Sequence, residues 1–251
     1  MALVPWNGID LHDETHGRGP DILLTHGFGA TCRMWDEQIE DFTGQHRLIV
    51  WDLPGHGQSG MPPGSFAINE LIEGMTAILD HASCERVVLV GLGIGAMLSL
   101  RFWRAWPRRV RGLVLIGAIP GLRSGAVREL ANLRVEMMAA QLDRHGLDGL
   151  EGGAEVDPRL HGSSADLARA ARALLTQLDD GALPFLPDID IPVLILAGGD
   201  DKASLSAAEY MTRTIPLARK VIVPRANHAV TVHKPEAANL AIRTFLARLP
   251  A

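Results

Sequence analysis

Val90-Gly91-Leu92-Gly93-Ile94-Gly95-Ala96 ends the apolar run of residues 86–92 (RVVLVGL) and opens a helical stretch. Glycines at alternate positions let a chain bend sharply and let backbone segments approach closely, so the stretch reads as a tight strand-to-helix turn. A unit of this kind belongs to a parallel sheet with helices on its faces. Gly91-x-Gly93-x-x-Ala96 also fits a dinucleotide-binding fingerprint, which wants an acidic residue about 20 positions on to hold a ribose. No Asp or Glu stands between Glu85 and Glu129, and the turn is mid-chain rather than the first of its kind. A nucleotide site is therefore set aside.

Outward from this turn, strand and helix patterns alternate. Short apolar runs at Asp21–Thr25 (DILLT), 46–52 (HRLIVWD), 110–117 (VRGLVLIG), 192–198 (PVLILAG) and 219–223 (RKVIV) read as strands buried on both faces. Asn7-Gly8, between Leu3-Val4 and residues 9–11, predicts a type I′ hairpin joining two antiparallel edge strands. In residues 67–81, Ile68, Leu71, Ile72, Met75, Ile78 and Leu79 recur at helical spacing, with Asn69 and Glu70 on the polar side. The last helix starts at Pro235, a good first-turn residue, and is expected to bury Ala238, Ile242, Phe245 and Leu249.

One stretch breaks the rhythm. Residues 121–190 hold no convincing strand; helices are expected at 127–144 and 165–178, with a flexible turn at 146–153 (GLDGLEGG). The expected architecture is α/β: a mostly parallel, doubly wound sheet formed by residues 1–120 and 191–251, with a helical cap inserted at 121–190.

A chain of 251 residues suits one domain with such an insertion. Its net charge of −5 argues against a nucleic-acid partner. Arg101, Arg104, Arg108, Arg109 and Arg111 read as a solvated face. Cys32 and Cys84 form no metal-spaced pair and no disulfide framework, which fits a reducing compartment. The N-terminus shows no signal-peptide pattern, and no run approaches the ~20 apolar residues of a membrane helix. A cytoplasmic protein with no membrane partner, no metal and no cofactor is expected; the oligomeric state stays open.

In open parallel sheets, ligands sit beyond the carboxyl ends of the strands. Four such ends are unusual here: Thr25-His26-Gly27-Phe28-Gly29; Trp51-Asp52-Leu53-Pro54-Gly55-His56-Gly57-Gln58-Ser59; the turn around Gly93; and the late pair Gly198-Gly199-Asp200-Asp201 and Ala226-Asn227-His228. Taken together and in this order, they make the sequence similar to the α/β-hydrolase superfamily, and above all to its small capped members that cleave esters, lactones or C–C bonds. The resemblance covers nearly the whole chain outside the cap.

It implies an acid at Asp201, with Asp200 in reserve, and a histidine at His228, in the order nucleophile, acid, histidine. It also implies an oxyanion hole from the backbone N–H groups of Phe28 and Ile94. His26 and His56 are expected to brace loops and shape the pocket floor, which puts His26 on the substrate side. Met137 and Met138 of the cap are expected to help line an apolar pocket. Asp52 and Ser59 read as turn residues, and Cys32 as buried packing. Asn227, where the family usually has glycine, is expected to take a left-handed turn.

The departure is at the turn itself. The family pattern is small-x-nucleophile-x-small, and Gly93 occupies the central position. Glycine has no atom that can attack a carbonyl. Loss of the serine from a working triad costs roughly 10⁶-fold in kcat, leaving about 10³–10⁴ over water. Three readings follow. The chain is a hydrolase of a small, partly apolar molecule with its serine replaced; or His228 and Asp201 work without a nucleophile, as in lyases, isomerases or cofactor-free oxygenases; or the pocket only binds a ligand.

Overall fold

The computed structural model describes residues 2–64 and 66–249. In chain order its strands are β1 (Ala2–Trp6), β2 (Ile9–Gly17), β3 (Asp21–Thr25), β4 (Arg47–Trp51), β5 (Val87–Leu92), β6 (Val110–Ile116), β7 (Val193–Gly198) and β8 (Ala218–Val223). The helices are α1 (Asp36–Phe42), α2 (Leu71–His81), α3 (Ile94–Ala105), α4 (Gly125–His145), α5 (Ser164–Leu175), α6 (Lys202–Thr214), α7 (Val230–His233) and α8 (Pro235–Leu246). All eight strands form one sheet in the order β1-β2-β4-β3-β5-β6-β7-β8. It is parallel from β4 to β8, and β1 and β2 are the antiparallel exceptions.

The two faces of the sheet sort the strand residues by parity, as a pleat requires. Ile49, Leu89, Leu113, Leu115 and Ile195 pack on one side with Leu71 and Met75 of α2, Leu98 of α3 and Met211 of α6. Leu48, Val50, Val88, Val90, Val114 and Leu194 pack on the other, with Phe42 of α1 and Ile242 and Phe245 of α8. Burial on both faces explains why these strands read as continuous apolar runs rather than alternating ones.

Three details differ from the sequence expectation. The hairpin at Asn7 (φ 46°) and Gly8 (φ 78°) forms, but only β1 is an edge, because β2 runs on to Gly17 and pairs with β4. The tail of β2 carries Glu14 and His16, whose polarity hid the strand. The other edge, β8, is mostly exposed, since no strand lies beyond it. Residues 146–149 form a short 3₁₀ turn rather than a loose link.

Between β6 and β7 the chain leaves the sheet for a helical insertion. There α4 and α5 pack through Val135, Ala139, Leu142, Leu167, Ala168 and Ala171 into a small core of their own. Among the described residues no helix is long and apolar enough to cross a membrane.

From β3 the chain crosses to β4 on one side and then to β5 on the other. Strand order thus reverses around β3, and a crevice opens at the carboxyl ends of these strands. The four unusual segments of the sequence converge there.

Candidate active site

The turn after β5 is dictated by contact. A Cβ on Gly91 would come within 2.3 Å of the Gly95 backbone, and one on Gly95 within 2.2 Å of the Thr25 carbonyl oxygen. Only glycine allows α3 to start so close to β3 and β5. Gly93 between them has φ 55° and ψ −109°, a conformation that strains any other residue. Its N–H donates to the Ile116 carbonyl at 2.9 Å, which fixes the bend against β6. Ile94 is the first residue of α3, so its N–H belongs to the unsatisfied, positively polarised end of a helix.

Across from this bend stands a histidine–carboxylate pair. Asp201 follows β7 and caps α6, its Oδ1 accepting from Ser204 N–H at 3.2 Å. Its Oδ2 lies 2.9 Å from Nδ1 of His228, which follows β8. Burial raises the Asp201 carboxyl, but hydrogen bonds from His228 and Ser204 outweigh it and hold the group below the usual carboxylate range. A carboxylate at Nδ1 favours the tautomer with its proton there, leaving the Nε2 lone pair free to accept. That Nε2 faces the bend: a Cβ on Gly93 would lie 3.0 Å from it. The His228 side chain is 44% exposed and Asp201 15%, so the imidazole is reachable while its partner is shielded. Gly117, just past β6, makes room for the ring, because a Cβ there would meet His228 Cε1 at 2.6 Å.

The supporting loops are braced from below. His26 is fully buried; its Nδ1 donates to the Gly27 carbonyl at 2.7 Å and its Nε2 accepts from Leu53 N–H at 2.8 Å. Asp52 accepts from Cys32 N–H at 2.7 Å, Gln58 N–H at 3.0 Å and His12 Nδ1 at 3.0 Å. Burial opposes its ionisation, but these donors hold the carboxyl well below the usual range. Ser59 closes the turn, donating to the Asp52 carbonyl at 2.6 Å and accepting from His12 N–H at 2.9 Å.

The pattern of the Alpha/beta hydrolase family matches residues 22–239. This chain belongs to that family. The 2-(acetamidomethylene)succinate hydrolase of Mesorhizobium japonicum is 27% identical over 259 residues, spanning 95% of this hydrolase-family chain and 92% of the relative. The 3-oxoadipate enol-lactonase 2 of Acinetobacter baylyi is 25% identical over 257 residues, spanning 96% and 94%. Among solved structures, a thermophilic esterase from Thermogutta terrifontis superposes with a TM-score of 0.83 at 26% identity, covering 98% of each chain.

Within this hydrolase fold several expectations need correction. His26 offers a substrate no free ring nitrogen, because both are committed to backbone and the side chain is out of solvent's reach. Met137 is 62% exposed and Met138 half-buried, and neither belongs to the apolar core of the insertion. The left-handed residue of the loop before His228 is Arg225 (φ 53°), not Asn227. Asp200 is exposed, and it is Asp201 that bonds His228. Phe28 is half-buried at the carboxyl end of β3.

The sequence reading also missed three residues of this hydrolase scaffold: Gly117 beneath the imidazole, His12 beside Asp52, and His161. His12, Glu14 and Cys32 bring potential ligand atoms within 4.8 Å of one another. Arg33 already pairs with Glu14, and burial followed by the Asp52 charge pushes the Cys32 thiol up to about 12. A cation there would have to displace a guanidinium and ionise that thiol.

Proposed function

We propose that this chain carries the site of a small-molecule hydrolase of ester, lactone or C–C bonds from which the nucleophile alone is missing. Gly93 stands where a serine would attack. The reading rests on the alignment of residue 93 with the imidazole: the missing Cβ points at the acceptor nitrogen of His228, whose other nitrogen is held by Asp201. Phe28 and Ile94 N–H groups are the proposed oxyanion donors, and these need no side chain. Such a site can move protons and stabilise negative charge, but it cannot form an acyl-enzyme. The named chemistries of the similar lactonase, hydrolase and esterase support a carbonyl substrate.

Gly93→Ser is the test, assayed with short aryl esters. The expected result is a gain of about 10³-fold or more over the parent chain. A folded variant with no esterase activity overturns the reading.

A second reading is favoured by one observation. At 3.0 Å, His228 Nε2 stands closer to the residue-93 Cβ position than nine in ten real Cβ contacts allow. The imidazole therefore sits in the space a serine would crowd, as a general base acting directly on water or on a substrate proton would. Turnover by the unaltered chain, abolished in His228→Ala, supports this reading; turnover that survives the substitution sinks it.

A further inference from the structure

We propose that His161, carried by the insertion, is a positioning residue that ties the insertion to the loop bearing Phe28. It lies between the short turn Pro158–Leu160 and α5, and its side chain is only 6% exposed. Its Nε2 donates to the Gly29 carbonyl at 2.9 Å, and its Nδ1 accepts from Gly57 N–H at 3.2 Å. One imidazole thus bridges two core loops, 132 and 104 residues away in sequence, that flank the site.

The pairing demands a neutral ring with its proton on Nε2, and burial favours the neutral form. The ring also meets His56 edge-on at 5.8 Å, and His56 meets Phe28 edge-on at 5.1 Å. Around these bonds the insertion fits the loops closely. A Cβ on Gly29 would touch Leu150 at 3.3 Å and Val156 at 3.4 Å, and one on Gly55 would meet the Asp166 carbonyl oxygen at 2.9 Å. Arg169 makes another polar tie, to the carbonyls of Pro62 and Gly64, but at an exposed edge.

The consequence concerns residue 28. An oxyanion donor stabilises charge only when held within about 2.7–3.1 Å of where the charge develops. The His161 bond fixes the 29–30 peptide plane, while His26 holds the neighbouring 27–28 plane through the Gly27 carbonyl, so the tie acts on the Phe28 N–H by anchoring the far side of its turn to the insertion. This second part rests on the oxyanion reading proposed above; the tie itself does not.

Two substitutions separate the parts. His161→Phe keeps the ring and removes both bonds, whereas His161→Gln keeps one acceptor and one donor. In the chain as it stands, His161→Phe is expected to speed amide exchange at Gly57 and across residues 27–30 by about tenfold or more, the loss of one typical hydrogen bond. Exchange in α3 stays unchanged, and His161→Gln stays near the parent. Unchanged exchange at Gly57 overturns the tie. Should His161→Phe not fold, nitrogen shifts of the unaltered protein decide: a proton on Nδ1 rather than Nε2 overturns the tie.

In the Gly93→Ser background, adding His161→Phe is expected to lower kcat about tenfold with KM held within about twofold, and His161→Gln to restore it. Faster exchange with unchanged kcat overturns the positioning role. An inactive Gly93→Ser parent counts against the proposed hydrolase site instead, while the exchange result still judges the tie.

Discussion

Among the described residues stand two histidine–aspartate pairs of nearly equal geometry and opposite character. His228 meets Asp201 at 2.9 Å, and His12 meets Asp52 at 3.0 Å, in each case through Nδ1. The difference lies at the far nitrogen. Nε2 of His12 is buried beside the Gln58 amide at 3.3 Å, and Asp52 is saturated by backbone donors. Nε2 of His228 looks into open space at Gly93. A carboxylate orients an imidazole in both places, but only the pair with a vacant lone pair and a path to solvent can act on a substrate. The other is mortar between loops.

Stability measurements can break or sharpen this contrast. Asp52→Asn is expected to cost the most, about 3–5 kcal/mol in a denaturant titration, because it leaves buried donors and His12 without their charged partner. A cost under 1 kcal/mol would mean that the buried pair holds nothing together. Next comes Gly93→Ser, which places a side chain at φ 55° against the open pair. It is expected to lose about 1–3 kcal/mol in the same titration while gaining activity. A variant as stable as the parent would show the bend to be unstrained.

The buried side also contains His26, His56 and His161, each held below the usual histidine range by burial. The unfolded chain binds protons near pH 6.5 where the folded chain does not, so stability is full above that pH and falls as pH drops below it. The slope is up to about 1.4 kcal/mol per pH unit for each histidine, and it ends at the folded values. Denaturant midpoints between pH 7 and 5 check this; a flat profile refutes it. The smallest effect is expected for His228→Ala, within about 1 kcal/mol, since its ring is half in solvent and little of its packing is lost. A cost as large as that of Asp52→Asn would erase the distinction.

What could be read from the sequence was local. Gly91 is fixed by the backbone of Gly95 four residues on, Gly95 was legible from the alternate-glycine pattern although its contact is with distant Thr25, and the central strands announce themselves because both faces are buried. Asp201 and His228 were legible because each sits at a strand end with a recognisable loop. His12, Gly117 and His161 were not, because their roles depend on partners brought near only by the folded sheet. His161 shows this best: nothing within ten positions explains a buried histidine there. Arg225 rather than Asn227 took the left-handed turn because the bend falls directly after Pro224, a position that residue preferences alone did not single out.

The insertion departs from β6 and returns at β7, two strands already zipped together from Leu113↔Val193 onward. Its ends are therefore pinned whatever lies between them, and doubling such an excursion costs only about 0.6 kcal/mol in closure entropy. The insertion can thus be lengthened or rewritten almost independently of the sheet that holds its ends. His161 bears on that freedom: a rewritten insertion loses its hydrogen bonds to the Gly29 carbonyl and the Gly57 N–H unless it brings an equivalent donor and acceptor.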